Sequence, residues 1–187
     1  MKKYFFIIIS ILALSCNNSK KSNIENEKVA KRELRPFFDS DEIDHYYLGQ
    51  RSDFEHSSRD NQKQIEKKKE FATFFYGYYP NNVEKDFESL LLKYDYKKSN
   101  LSSRQQKEIQ NVFSEKDSIQ TDGYACIPEY RDIFIFKKKD KAIGIAKICF
   151  KCGRFQIIGS KIDTQYFGLF EELEKLHNIV RSNDKKT

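Results

Sequence analysis

Two neighbouring β-rich runs constrain the fold of this chain more than any other feature. Residues 131–136 read RDIFIF, and residues 142–150 read AIGIAKICF. Both runs are rich in β-branched and aromatic residues, and the basic, polar residues 137–141 separate them. This pattern predicts an antiparallel β-hairpin. Because the first run is apolar on both faces, other elements must cover each face of the hairpin.

Helical periodicity lies on both sides of these runs. A first helix is predicted from about residue 60 until Gly77 and Pro80 end it, and a second starts near Asn82. Ser103 with Gln106 three residues later matches a capping box and predicts a third helix. A last amphipathic helix is expected over residues 166–181.

Three shorter segments complete the predicted organisation. Residues 154–158 are expected to form a third strand, and residues 37–48 an irregular or short extended segment. A short helix is predicted over residues 28–35, ending before Pro36. The fold class is therefore α+β, with helices followed by an antiparallel β-hairpin or meander and a C-terminal helix. One domain is expected over residues 28–182, followed by a disordered tail over residues 183–187.

The N-terminus has the organisation of an export signal. Lys2 and Lys3 precede an apolar run, residues 4–14, which is short for a permanent membrane-spanning helix. The run leads into Ala-Leu-Ser-Cys, with the cysteine at position 16. This segment resembles the signal of bacterial lipoproteins, in which small or aliphatic residues precede an invariant cysteine. The resemblance implies that residues 1–15 are a cleaved signal peptide and that Cys16 is lipidated. The alternatives are an uncleaved anchor helix, or a cleaved signal in which Cys16 is incidental.

The segment after the signal bears on location. Residues 16–27 are predicted to be the lipidated cysteine and a flexible polar tether. By analogy with lipoprotein sorting, the absence of Asp at position 17 favours the outer membrane, and the absence of an acidic cluster favours its periplasmic face. Loss of the two signal lysines lowers the net charge from +6 to +4, which is too small to indicate nucleic-acid binding. The expected partners are the membrane, through the anchor, and an unidentified envelope protein.

Three cysteines besides Cys16 are predicted to meet at one end of the hairpin. If the hairpin turns at Lys139 and Asp140, Cys149 and Cys152 come close to the chain around Cys126. One interpretation is a disulfide from Cys126 to Cys149 or Cys152, or a local Cys149–Cys152 bridge, with one thiol left over. A second is a metal site, with zinc as the ion, although no fourth ligand is evident. A third is redox chemistry at the C-x-x-C pair, which lacks the usual helix N-terminus.

The same region carries a family resemblance. Residues 125–152 read ACIPEYRDIFIFKKKDKAIGIAKICFKC. They resemble a segment of small Bacteroidota lipoproteins that share Cys-x-Pro, a basic hairpin and a terminal Ile-Cys-Phe-x-Cys. Cys126, Pro128, Cys149 and Cys152 match this pattern. The resemblance implies a lipid-anchored envelope protein with an α+β domain, and it implies no particular reaction.

The sequence contains no recognisable catalytic motif. Nucleophile-elbow, zinc-protease, P-loop and dinucleotide-binding patterns are all missing from it. His45, His56 and His177 each stand alone, and His177 flanks the apolar face of the last helix. The sequence therefore favours a non-enzymatic binding or structural role without a cofactor. The alternative function is thiol-based metal binding or redox exchange at Cys126, Cys149 and Cys152.

Overall fold

The computed structural model describes residues 34–49, 62–116 and 126–182. Four helices and five strands lie in these ranges. In chain order they are β1 (Glu42–Tyr47), α1 (Gln62–Phe75), α2 (Phe87–Lys93), β2 (Lys97–Ser99), α3 (Ser103–Val112), β3 (Asp132–Lys138), β4 (Lys141–Cys149), β5 (Arg154–Ile158) and α4 (Phe170–Arg181). The strands form one antiparallel sheet in the order β2-β1-β3-β4-β5. The predicted α+β class is confirmed, with the strand meander and the C-terminal helix.

The predicted hairpin is β3 and β4. Lys139 and Asp140 form its turn with φ angles of 50° and 62°, a backbone that suits a tight two-residue connection. The register then shifts by one residue between Phe136 and Lys137, so that Phe136 pairs with Gly144. The ring of Phe38 lies over Gly144, where an added Cβ would be 2.1 Å from it. Glycine at this bulge therefore leaves room for an aromatic ring against the sheet.

Helices cover both faces of the sheet, as the apolar β3 sequence predicted. Alternate residues of β3 point to opposite faces. Phe134 and Phe136 pack in a core with residues of α3 and α4, while Ile133 and Ile135 pack in a second core with residues of α1 and α2. The sheet is therefore the middle layer between two pairs of helices.

Two strands lie outside the predicted hairpin and meander. β1 occupies a central position between β2 and β3, although residues 37–48 were expected to be irregular or only briefly extended. Its sequence EIDHYY carries Asp44 and His45, which are 3% and 0% exposed. Because both are polar, the strand has no apolar alternation to reveal it. β1 also places one strand ahead of the helices in chain order.

The helix boundaries differ from the predicted ones. The capping box of α3 uses Ser102 and Gln105, not Ser103 and Gln106: the Ser102 hydroxyl accepts from the Gln105 N–H, and the Gln105 side chain accepts from the Ser102 N–H. α2 begins at Phe87 instead of near Asn82 because the residues before it form turns. α4 begins four residues later than expected because Gly168, at φ +95°, breaks the helical backbone just before it.

Several predictions fall outside the described residues. These are the signal peptide, the lipidation of Cys16, the tether, His56, most of the predicted 28–35 helix and the tail over residues 183–187. Within the described part, Leu34 and Arg35 are not helical, and Arg35 forms an ion pair with Glu115 beside a bridge between Pro36 and Ser114. None of the described helices has the length and apolar character needed to cross a membrane.

Candidate functional site

The three cysteines meet at one end of the β3–β4 hairpin. Cys126 and Cys152 form a disulfide with their Cα atoms 6.3 Å apart, within the range that such bonds span. Cys149 is a free thiol that is 2% exposed, and its Sγ lies 3.2 Å from the Sγ of Cys152. Three sulfur atoms are thus contiguous. We call Cys126, Cys149 and Cys152 the thiol cluster.

Local structure places each sulfur. Cys149 is the last residue of β4 and pairs with Arg154, so residues 150–153 form the turn into β5. The Cys152 N–H donates to the Cys149 carbonyl at 3.3 Å, which closes that turn. The Glu129 N–H donates to the Cys149 Sγ at 3.3 Å. Cys126 lies on the segment that leads into β3, which the hairpin brings back to the same end of the sheet.

An apolar groove of about 490 Å³ lies beside the disulfide. Its floor and walls include Cys152, Phe150, Leu173 and the glycines at 153 and 168, and Phe170 at its edge is 68% exposed. Charged and polar side chains at the groove are Lys151, Glu174 and His177. We call this feature the α4 groove. Its lining suits a large apolar side chain, and the charged groups in the lining can orient what enters.

A smaller cavity of about 260 Å³ reaches the free thiol from the other side. Cys149 lines it together with Phe150 and His177, whose rings also line the α4 groove and contact each other edge to face at 5.0 Å. The ion pair of Glu129 with Arg131 contributes to its wall. His177 thus lies between the two cavities, whereas the sequence indicated only a residue at the boundary of an apolar face.

A buried polar chain crosses the sheet under α4. His45 Nε2 lies 2.9 Å from Asp132 Oδ1, and His45 Nδ1 lies 2.9 Å from Ser99 Oγ. Because a carboxylate only accepts hydrogen bonds, Nε2 donates to Asp132. Arg181 donates to both oxygens of Asp132 at 2.7 and 2.9 Å, and its guanidinium lies over the Tyr47 ring at 3.8 Å.

The order Ser99, His45, Asp132 is that of a hydrolase triad, but the surroundings differ from those of a catalytic site. His45 is completely buried and stacks on Phe134 at 4.7 Å, and none of the cavities described above is lined by Ser99 or His45. The Arg181 guanidinium also occupies both oxygens of the carboxylate. We therefore interpret these buried polar side chains as a structural network that joins β1, β2 and β3 to α4.

A buried lysine occupies the opposite face of the sheet. The Lys147 Nζ donates to the carbonyls of Gly77 and Tyr79 and to the side chain of Gln156, at 2.6, 2.8 and 2.9 Å. It also lies 4.3 Å from the centre of the Tyr130 ring. Burial lowers the pKa of Lys147 to about 7. This contact fastens the turn after α1 to the sheet.

The metal interpretation finds no ligand group in the described part of the chain. No set of three or more His, Cys, Asp or Glu side chains there is arranged to hold a metal ion. Two of the three thiols are joined to each other, and the C-x-x-C pair lies in a turn between strands. The role of the cluster stays a prediction.

Sequence reasoning missed the polar chain, the buried lysine and the groove. His45 and Asp132 are 87 residues apart and meet only because β1 pairs with β3. Lys147 lies in a run that reads as continuous strand, so its burial carries no local signal. Phe170 was expected on the apolar stripe of the last helix together with Leu173, but it is 68% exposed, so the periodicity gave no sign of the groove. Comparison with known proteins gives no match: no family model fits the sequence, and no curated protein or solved structure is significantly similar to it.

Proposed function

We propose that this chain is a lipid-anchored protein of the bacterial cell envelope, of the Bacteroidota lipoprotein type, that binds a partner protein in the α4 groove without catalysing a reaction. The N-terminal sequence supports the anchor: two lysines, an apolar run and Cys16 follow the lipoprotein pattern. Outer-membrane attachment facing the periplasm follows from the residues after Cys16. The domain beyond the tether is then held close to the membrane, where an envelope protein is its natural partner.

The proposed binding role rests on one observation: Phe170 is exposed beside an apolar groove. A phenylalanine that is 68% exposed is costly to leave in water, and groups of apolar residues at a surface depression mark interaction sites. The cavity volume of about 490 Å³ suits one or two large side chains of a partner. Lys151 and Glu174 at the rim supply one charge of each sign, which favours a partner segment with polar residues flanking its apolar anchor.

Site-specific photocrosslinking in living cells tests the binding role. A photoreactive phenylalanine analogue replaces Phe170 in one version of the full chain and Leu92 in the other. Leu92 is a matched control because it is 57% exposed and lies on α2, at the opposite face of the sheet. We expect a discrete crosslinked product from position 170 that position 92 does not give. Crosslinking that is equal at both positions, or missing at 170, would contradict the proposal.

A second candidate function is thiol chemistry at the cluster. The observation that favours it is the 3.2 Å distance between the free Cys149 thiol and the disulfide sulfur of Cys152. If the Cys126–Cys152 disulfide only stabilised the hairpin, it would not need a third sulfur at this distance. Zinc bound by the same three cysteines is the other form of this candidate, and it requires the disulfide to be reduced.

A further inference from the structure

We propose that the thiol cluster is an exchange site at which Cys149 displaces Cys126 from Cys152, and that the released Cys126 thiol reacts with a disulfide of another molecule. This inference rests on the second candidate function above and is independent of the anchor and the groove. It assigns a separate role to each cysteine: attacking thiol, shared sulfur and leaving thiol.

The distance between the sulfurs supports the attack. Thiol–disulfide exchange proceeds when a thiolate approaches one sulfur of a disulfide along a direct path. The Cys149 Sγ is already 3.2 Å from the Cys152 Sγ, so the attacking sulfur and the sulfur it attacks are neighbours in the folded chain. The Glu129 N–H donates to the Cys149 Sγ at 3.3 Å and holds this sulfur beside the disulfide.

The product of the attack fits the local backbone. Cys149 and Cys152 are the first and last residues of a hydrogen-bonded turn. The Cα atoms at the ends of such a turn are less than about 7 Å apart, within the reach of a disulfide. A Cys149–Cys152 bond can therefore replace the Cys126–Cys152 bond while the strands on either side of the turn stay paired.

The step is balanced without an external oxidant. The Cys149 thiolate forms a bond to the Cys152 Sγ, the bond between Cys152 and Cys126 breaks, and its electron pair leaves on Cys126. The proton lost by Cys149 is matched by the proton that Cys126 takes up. One disulfide and one thiol exist before and after, so the exchange changes only which cysteine is free.

The consequence of the exchange is a change in the exposure of the free thiol. Before it, the free thiol is Cys149, which is 2% exposed. Afterwards it is Cys126, which is half-buried and adjoins Ile127, a residue 79% exposed. The Cys126 thiolate can then attack a partner disulfide, forming a mixed disulfide and releasing one partner thiol. A shielded thiol thus becomes an accessible one.

Glutathione disulfide is the probe for this reaction. The full chain, extracted in detergent with its disulfide intact, is incubated with the probe, quenched with acid and mapped by mass spectrometry without reductant. We expect glutathione on Cys126 in the same molecules that contain a Cys149–Cys152 bond. In the Cys149→Ser variant, which removes the attacking sulfur and keeps its size, glutathionylation of Cys126 should be lost.

Two results would overturn the proposal and are distinguishable from each other. In the first, glutathione is found on Cys149 and the Cys126–Cys152 bond is retained. This would show that the buried Cys149 thiol reacts directly with the probe. It would contradict the exchange and leave the Cys126–Cys152 bond as a structural disulfide. Three free thiols in the untreated protein would remove both the disulfide and the exchange. The wild-type map decides between these outcomes even where the Cys149→Ser variant folds poorly.

Discussion

At the residue scale, Asp132 is the buried carboxylate that joins the sheet to α4. It is 3% exposed and accepts hydrogen bonds from His45 and Arg181. A buried carboxylate is tolerated because both oxygens are paired, and its removal leaves a guanidinium and an imidazole without their acceptor. The network is therefore expected to contribute more to stability than a pair at the surface does.

The first prediction follows from this arrangement. Asp132→Ala should lower the free energy of unfolding by about 3 kcal/mol or more, as the loss of one partner from a buried ion pair does. Ser99→Ala is the matched control, since it removes one hydrogen bond to the same histidine and should cost about 1 kcal/mol. Urea unfolding of the chain from residue 28 onward measures both. Equal losses in the two variants would contradict the central role of Asp132.

Lys147 gives the second prediction, which concerns pH. Its pKa is lowered to about 7 in the folded protein, whereas an unfolded lysine titrates near about 10.4. Between these values the unfolded state binds more protons, so folding stability increases with pH. The free energy of unfolding should increase by on the order of 2 kcal/mol between about pH 7.5 and 9.

Lys147→Met is the control for that pH dependence. The variant keeps an unbranched side chain but has no group that titrates, so the increase above neutral pH should disappear. Urea unfolding of both proteins at the two pH values is the measurement. If the free energy of unfolding of Lys147→Met increases with pH as much as that of the wild type, the pH dependence comes from other groups.

At the scale of elements, the hairpin could be predicted from sequence because its signals are local. Lys139 and Asp140 were expected in the turn and occupy it, and β5 has the predicted bounds of residues 154–158. A constant register counted from this turn is wrong by one residue from Phe136 to the start of β3, since the bulge beside Gly144 adds a residue to β4. The Phe38 ring that packs on Gly144 comes from a distant part of the chain.

Elements that depend on long-range partners could not be predicted. β1 is buried through the pairing of Asp44 with Lys98 and Lys137 and of His45 with Asp132, and none of these partners is near it in sequence. Burial alone would raise the pKa of Asp44, but the hydrogen bonds from Lys137 and Lys98 hold it below its ordinary value. The sequence placed the thiol cluster at the correct end of the hairpin but left the partner of Cys126 open, and the structure pairs it with Cys152.

The third prediction tests how the disulfide stabilises the hairpin. Cys126 and Cys152 are 26 residues apart, and closing a loop of that size is worth on the order of 3 kcal/mol in the chain-entropy model. Cys126→Ser should lower the melting temperature clearly, and reductant should lower that of the wild type by a similar amount. A Cys149–Cys152 bond formed in Cys126→Ser closes too short a loop to restore the lost stability in full.

Chelator treatment separates the disulfide from the zinc alternative. A chelator should leave the melting temperature unchanged if the cysteines are bridged, whereas loss of a structural metal would lower it. Cys149→Ser is the matched control: it removes a cysteine without breaking the bridge, so reductant should still lower its melting temperature. A protein destabilised by chelator and unaffected by reductant would contradict the disulfide.

At the scale of the whole molecule, the sheet separates two surfaces with different properties. On the face covered by α1 and α2, Lys147 and the ion pairs of Lys137 with Asp44 and Glu88 hold the layers together. The face covered by α4 carries the groove and the exposed Phe170. The thiol cluster lies at the end of the sheet next to this groove, since Cys152 lines it. We expect the partner and the thiols to act at this end of the domain.

We propose that Cys16 carries a lipid that anchors the domain, and metabolic labelling with a fatty acid is the test of this anchor. Wild-type chain and Cys16→Ala are expressed in the source cells with labelled palmitate, and membranes are separated in detergent. We expect label on the wild type alone, and an unlabelled precursor of larger apparent size for Cys16→Ala. A Cys16→Ala protein that still takes up the label and fractionates with membrane lipoproteins would contradict it.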